Sequence, residues 1–90
     1  MLERRIRVVN ALGLHARAAA QLVRLASRFR STIILTRDDT GVTANAKSIL
    51  SVLNIAAAYG CEIGVTTEGD DEAAAMDAIE DLFVRGFGEI

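Results

Sequence analysis

The sequence has no proline and no tryptophan, and among its 90 residues there are one cysteine, one tyrosine, three phenylalanines and one histidine. A lone thiol, Cys61, cannot close an internal disulfide and gives too few thiolates for a structural zinc site, so a reducing compartment is the natural setting. With no proline, no low-complexity run, 51% apolar and 24% charged residues, linker-like, collagen-like and disordered classes are excluded in favour of an ordinary folded domain. The few aromatics are not interleaved with basic residues as stacking on bases requires, so no nucleic-acid partner is expected. No apolar run reaches the roughly 18 residues of a membrane span, and Met1-Leu2-Glu3-Arg4-Arg5 leads into an alternating stretch. The chain therefore reads as cytoplasmic, without membrane insertion, and its length suits one core over residues 1–90.

Charge is uneven along the chain. Residues 1–47 hold nine basic and three acidic side chains, and residues 48–90 hold one basic and nine acidic. The expectation is a solvated protein with opposite charge on different faces.

Hydrophobic periodicity sets out the elements. Arg4 to Val9 alternates as a strand with Ile6 and Val8 on one side, and Asn10-Ala11-Leu12-Gly13 breaks it. From Ala16 to Phe29 the period turns helical, with Ala19, Leu22, Val23, Ala26 and Phe29 on one face and Arg17, Arg24 and Arg28 on the other. Ser31 to Thr36 and Val42 to Asn45, joined by Asp38-Asp39-Thr40-Gly41, read as a hairpin. A second helix is expected from Ser48 to Tyr59, stopped by Gly60. Glu62 to Glu68 alternates with Ile63 and Val65 inward. Asp70, Asp71 and Glu72 then start an acidic final helix that places Met76, Ile79, Leu82 and Phe83 on one face and ends by Gly86. The order βαββαβα fits the α+β class as a two-layer open-faced sandwich, a four-stranded antiparallel sheet with three helices on one face.

Chemistry concentrates at Gly13-Leu14-His15-Ala16-Arg17, where a loop enters the first helix. His15 falls at the N-cap or beside it, among free amides and the positive end of the dipole. That position disfavours an imidazolium and leaves a neutral, nucleophilic ring. A phosphoryl group on the ring would instead be welcome, since the amides of Ala16 and Arg17 and the Arg17 guanidinium are placed to bind it. Small residues, Ala16, Ala18, Ala19 and Ala20, would let another protein come close.

These residues also carry a resemblance. Asn10-Ala11-Leu12-Gly13-Leu14-His15-Ala16-Arg17-Ala18-Ala19 resembles the active-site segment of the histidine-containing phosphocarriers (HPr) of the bacterial phosphoenolpyruvate-dependent phosphotransferase system. Asn45-Ala46-Lys47-Ser48-Ile49-Leu50 is similar to the opening of that family's second helix. Glu68-Gly69-Asp70-Asp71-Glu72 is similar to its last strand-to-helix turn, and Gly86-Phe87-Gly88-Glu89 to tails of some members, the nitrogen-related branch included. The resemblance implies that His15 takes a phosphoryl group on Nδ1 from enzyme I and passes it to an enzyme IIA domain, with Arg17 assisting. Such a carrier is a protein substrate rather than a self-sufficient enzyme, needs no cofactor or metal, and is most simply a monomer. The family's familiar form has proline after the arginine; Ala18 leaves the first helical turn looser here.

The second helix is apolar around most of its circumference. Ile49 and Leu53 are assigned to a docking patch beside His15, with Ala20 at its margin and Arg17, Arg24 and Arg28 as a positive rim, and Leu50 to the core. Ser48 is a natural N-cap. In some family members the matching serine is phosphorylated by a dedicated kinase, which implies a regulatory site here. Lys47-Ser48 lacks the glycines of a nucleotide-binding loop. The alternative to a carrier is a regulatory binding module that engages a transcription factor or enzyme through residues 48–53. A generic anion-binding domain, indifferent to His15, is the third reading.

Overall fold

The alternation at the start of the chain becomes β1 (Leu2–Arg7), set slightly earlier than the sequence suggests, and it pairs along its length with β4 (Glu62–Glu68). The computed structural model describes residues 1–89; residue 90 of the expected span lies outside the described residues. The central strands are β4 and β2 (Thr32–Arg37), and β3 (Thr43–Asn45) closes the other edge, giving an entirely antiparallel sheet in the order β1-β4-β2-β3. Register follows the period-two rule: Ile6, Ile63, Val65, Ile33, Leu35 and Ala44 share the buried face, while Glu3, Arg5, Thr66, Thr36 and Thr43 face outward. Each large aliphatic group so buried contributes about 1.5–3 kcal/mol.

Three helices cover that one face. The first, α1 (Ala16–Ala26), packs against both α2 (Ile49–Ile55) and α3 (Glu72–Val84), with α3 over β1 and β4 and α2 over β2 and β3. Met76, Ile79, Leu82 and Phe83 form the buried face of α3, as their spacing requires. No helix among the described residues is long and apolar enough to cross a membrane.

Several local expectations need correction. α1 ends at Ala26, with Phe29 only partly buried in the turn beyond it. α2 stops at Ile55, and its left-handed cap is Ala56 (φ +54) rather than Gly60. The cause is tertiary. The Ala57 carbonyl accepts from the Leu14 amide (2.9 Å), and the Gly60 amide donates to the Val8 carbonyl (2.8 Å). Residues 56–60 are thus committed to holding the β1–α1 loop and cannot continue a helix. Leu50 is not in the core: it is 73% exposed, whereas Val52 and Ile55 are buried and Leu53 is partly buried. Over barely two turns, the choice of buried face falls to the neighbours rather than to a hydrophobic stripe.

Asp71 stands at the N-cap position of α3 but makes no side-chain cap. Its carboxylate accepts instead from the amides of Arg30 and Ser31 and from the Ser31 hydroxyl, tying α3 to the start of β2. These bonds, the Ser31 hydroxyl first, hold its carboxyl below the usual aspartate range. The charge asymmetry is partly cancelled by topology. Arg4 pairs with Asp77 and Glu80, and Arg7 with Glu62, each across the two halves of the chain. Arg24, Arg28 and Arg30 have no acidic partner among the described residues.

Candidate functional site

The loop before α1 is shaped by Gly13, whose φ is +65 and whose missing side chain leaves room for the backbone of Ala57 and Ala58. A methyl group there would run into the Ala57 carbonyl oxygen, so only glycine lets the loop lie this close. The adjoining Leu14 amide bonds that same carbonyl, and the chain then turns into α1 with His15 as the N-cap residue.

The His15 ring is half-buried and uses both nitrogens. Nε2 lies 2.8 Å from Oε1 and 3.0 Å from Oε2 of Glu89, and the Arg17 amide donates to Nδ1 at 3.3 Å. A carboxylate accepts only, so Nε2 carries the proton. Nδ1 then holds the lone pair, met only by a long contact from an amide at the positive end of the helix.

Glu89 is itself held. Asn10, fully buried, donates through Nδ2 to Glu89 Oε1 (2.7 Å) and to the Gly13 carbonyl (2.8 Å), and its own Oδ1 has no partner among the described residues. The bond from Asn10 and then the one from His15 keep the Glu89 carboxyl below the ordinary glutamate range. The nearest Arg17 guanidinium nitrogen lies 3.9 Å from Glu89 Oε2, while most of that side chain remains in solvent.

Among the residues expected from sequence, His15 and Arg17 come together with the Ala16 and Arg17 amides at the start of α1, as their spacing implies. The cluster of small residues divides: Ala16 is exposed and Ala20 half-buried, but Ala18 and Ala19 are fully buried and offer no approach to another protein. Ala18 is the third residue of α1, where an amide needs no intrahelical acceptor, so a proline there would sacrifice no helical bond.

On α2, Ser48 is the N-cap, its Oγ accepting from the Ser51 amide at 3.4 Å. Ile49 and Leu50 are exposed beyond it, and Leu53 is half-buried. Arg24 is exposed on α1. Two contributors escaped sequence reasoning. Asn10 reads as a loop breaker, yet it is the buried anchor of the site. Glu89 lies 74 positions from the histidine it touches, and no local pattern pairs them.

The family model PTS-HPr, described as the PTS HPr component phosphorylation site, matches residues 2–85. The phosphocarrier protein HPr of Treponema pallidum is 48% identical, covering 99% of each chain. The phosphocarrier protein NPr of Proteus mirabilis is 42% identical over 96% of this chain and 94% of its own. Among solved structures, HPr-C-His from Thermoanaerobacter tengcongensis superposes with a TM-score of 0.92 at 40% identity, covering 100% of this chain and 99% of that one. With matches of this extent in sequence and in fold, the chain belongs to the HPr family, the histidine phosphocarriers of the phosphotransferase system.

Proposed function

We propose that the chain accepts a phosphoryl group on Nδ1 of His15 from phosphorylated enzyme I and donates it to an enzyme IIA domain, working in the cytoplasm as a shuttled substrate. The observation that carries this reading is the geometry of the ring: Nε2 lies 2.8 Å from the Glu89 carboxylate, Nδ1 faces the Arg17 amide at the start of α1, and the His15 side chain is 25% exposed.

The step balances simply. The Nδ1 lone pair attacks the donor's phosphorus, the donor's N–P bond breaks, and its electron pair stays on the donor nitrogen. His15 retains its Nε2 proton and becomes cationic. The Arg17 amide, which faces the Nδ1 lone pair, would then face the phosphoryl oxygens, and the guanidinium is free to reach them. Onward transfer breaks the Nδ1–P bond and returns the pair to Nδ1, so the leaving group is a neutral imidazole.

Docking is assigned to the exposed Ile49 and Leu50 with the edge of Leu53, flanked by Ala20 and by the exposed Arg24 and Arg28 as a positive rim. Ser48 adjoins that patch. A phosphate on it would set a dianion beside Ile49 and Leu50, which supports the serine as a regulatory site for a dedicated kinase.

The test is intact-mass analysis after incubation with phosphoenolpyruvate and enzyme I. One acid-labile phosphate is expected on the protein and none on His15→Ala. A native chain that stays unmodified would defeat the carrier reading and leave the binding module acting through residues 48–53.

A further inference from the structure

The last described residues are closely packed against the helices. Beyond α3 a left-handed turn (Gly86–Gly88, each residue with positive φ) folds back, with Phe87 only 3% exposed and edge-on to Phe83 at a centroid distance of 5.0 Å. Phe87 takes φ +56, a backbone region costly for a bulky residue, and its carbonyl accepts from Gln21 of α1. Gly88 and Glu89 close the turn through their amides, onto the carbonyls of Arg85 and Gly86. The product of this strain and burial is one carboxylate delivered to Asn10 and His15. Asn10 Oδ1 has no partner among the described residues, while Nδ2 faces Glu89 and the Gly13 carbonyl. The family match ends at residue 85, short of this tail.

We propose that Glu89 is a positioning residue for His15: its carboxylate holds the Nε2 proton, aims Nδ1 outward, and balances the ring's positive charge when Nδ1 carries phosphate. The proposal rests on the carrier reading for its last part and on geometry alone for the first two. Glu89 touches neither the incoming phosphorus nor Nδ1; it acts through the ring, in the manner of a carboxylate that orients a catalytic histidine. The balance is local: the ring gains one positive charge on phosphorylation, loses it on onward transfer, and releases no proton in either step.

The test uses Glu89→Gln, which keeps an acceptor oxygen without the charge, and Glu89→Ala, which removes both. In the unphosphorylated protein, proton and nitrogen-15 NMR should show a slowly exchanging, downfield proton on Nε2 that disappears in Glu89→Ala. In transfer from phosphorylated enzyme I, both variants should lose about three- to tenfold in kcat with KM within twofold, because Glu89 lies off the α2 patch. Persistence of the downfield proton in Glu89→Ala, or wild-type kcat in either variant, overturns the proposal. The NMR arm needs no phosphoryl donor. A native protein that takes no phosphate but shows the Nε2 proton would therefore sink the carrier reading while leaving the Glu89 contact standing.

Discussion

Truncating Phe87 to alanine tests whether the tail is part of the folded core. The side chain is nearly fully buried against Phe83, and Phe-to-Ala replacements in interiors cost about 3–5 kcal/mol. The low end applies, because a three-residue turn at the end of α3 can relax where an interior element cannot, so about 3 kcal/mol is expected. At a urea slope of about 1.5 kcal/mol/M the midpoint falls by about 2 M with the slope unchanged. Phe87→Gly supplies the sharper comparison. At an ordinary helical position glycine would be about 1 kcal/mol worse than alanine. At φ +56 it escapes a left-handed penalty of about 1–2 kcal/mol and loses about 0.4–1 kcal/mol to a freer unfolded chain. The glycine variant should therefore unfold at a higher urea concentration than the alanine variant, by about 0.5 kcal/mol. A glycine midpoint equal to or below that of alanine refutes the strained, docked turn, and a cost below about 1 kcal/mol for Phe87→Ala refutes its burial. Both variants should also lose the Nε2 proton signal of His15, since Glu89 is carried by this turn.

Leu50→Ala should leave the unfolding free energy within about 0.5 kcal/mol, as expected for a mostly exposed side chain, yet raise KM for transfer from phosphorylated enzyme I by about fivefold or more. An unchanged KM would take Leu50 out of the docking face. Asp71→Asn addresses acid stability. The carboxyl is held below its ordinary range in the fold, so its contribution is present above the unfolded aspartate value of about 4 and is lost as pH falls through the lower folded value. Urea midpoints between pH 7 and pH 3 should start lower and fall less steeply in the variant; parallel curves would mean that the Ser31 and Arg30 bonds contribute nothing.

What was legible in the sequence divides along the line between local and distant causes. Alternation in Glu62–Glu68 and the spacing of Met76, Ile79, Leu82 and Phe83 are enough to place β4 and α3 with their correct inner faces, because one sheet face and one helix stripe must be covered. The end of α2 is not legible. Gly60 has the better chemistry for a cap, but the bonds from Leu14 to Ala57 and from Gly60 to Val8 stop the helix four residues sooner, at Ala56. The outward face of Leu50 is hidden for a related reason, since so short a helix carries too little periodicity to say which leucine faces in. At the site itself, His15 and Arg17 are readable because a loop entering a helix creates their environment within five residues. The half that comes from Asn10 and Glu89 depends on a strand end and a chain tail meeting only in the fold. That missing half also changes the chemistry. A helix start alone brings an amide to Nδ1 but leaves the other nitrogen free to turn, whereas a carboxylate 2.8 Å from Nε2 takes that nitrogen's proton as a hydrogen bond and leaves Nδ1 as the nucleophile. A carrier must present the same nitrogen at every transfer, and the helix start alone does not fix which one that is.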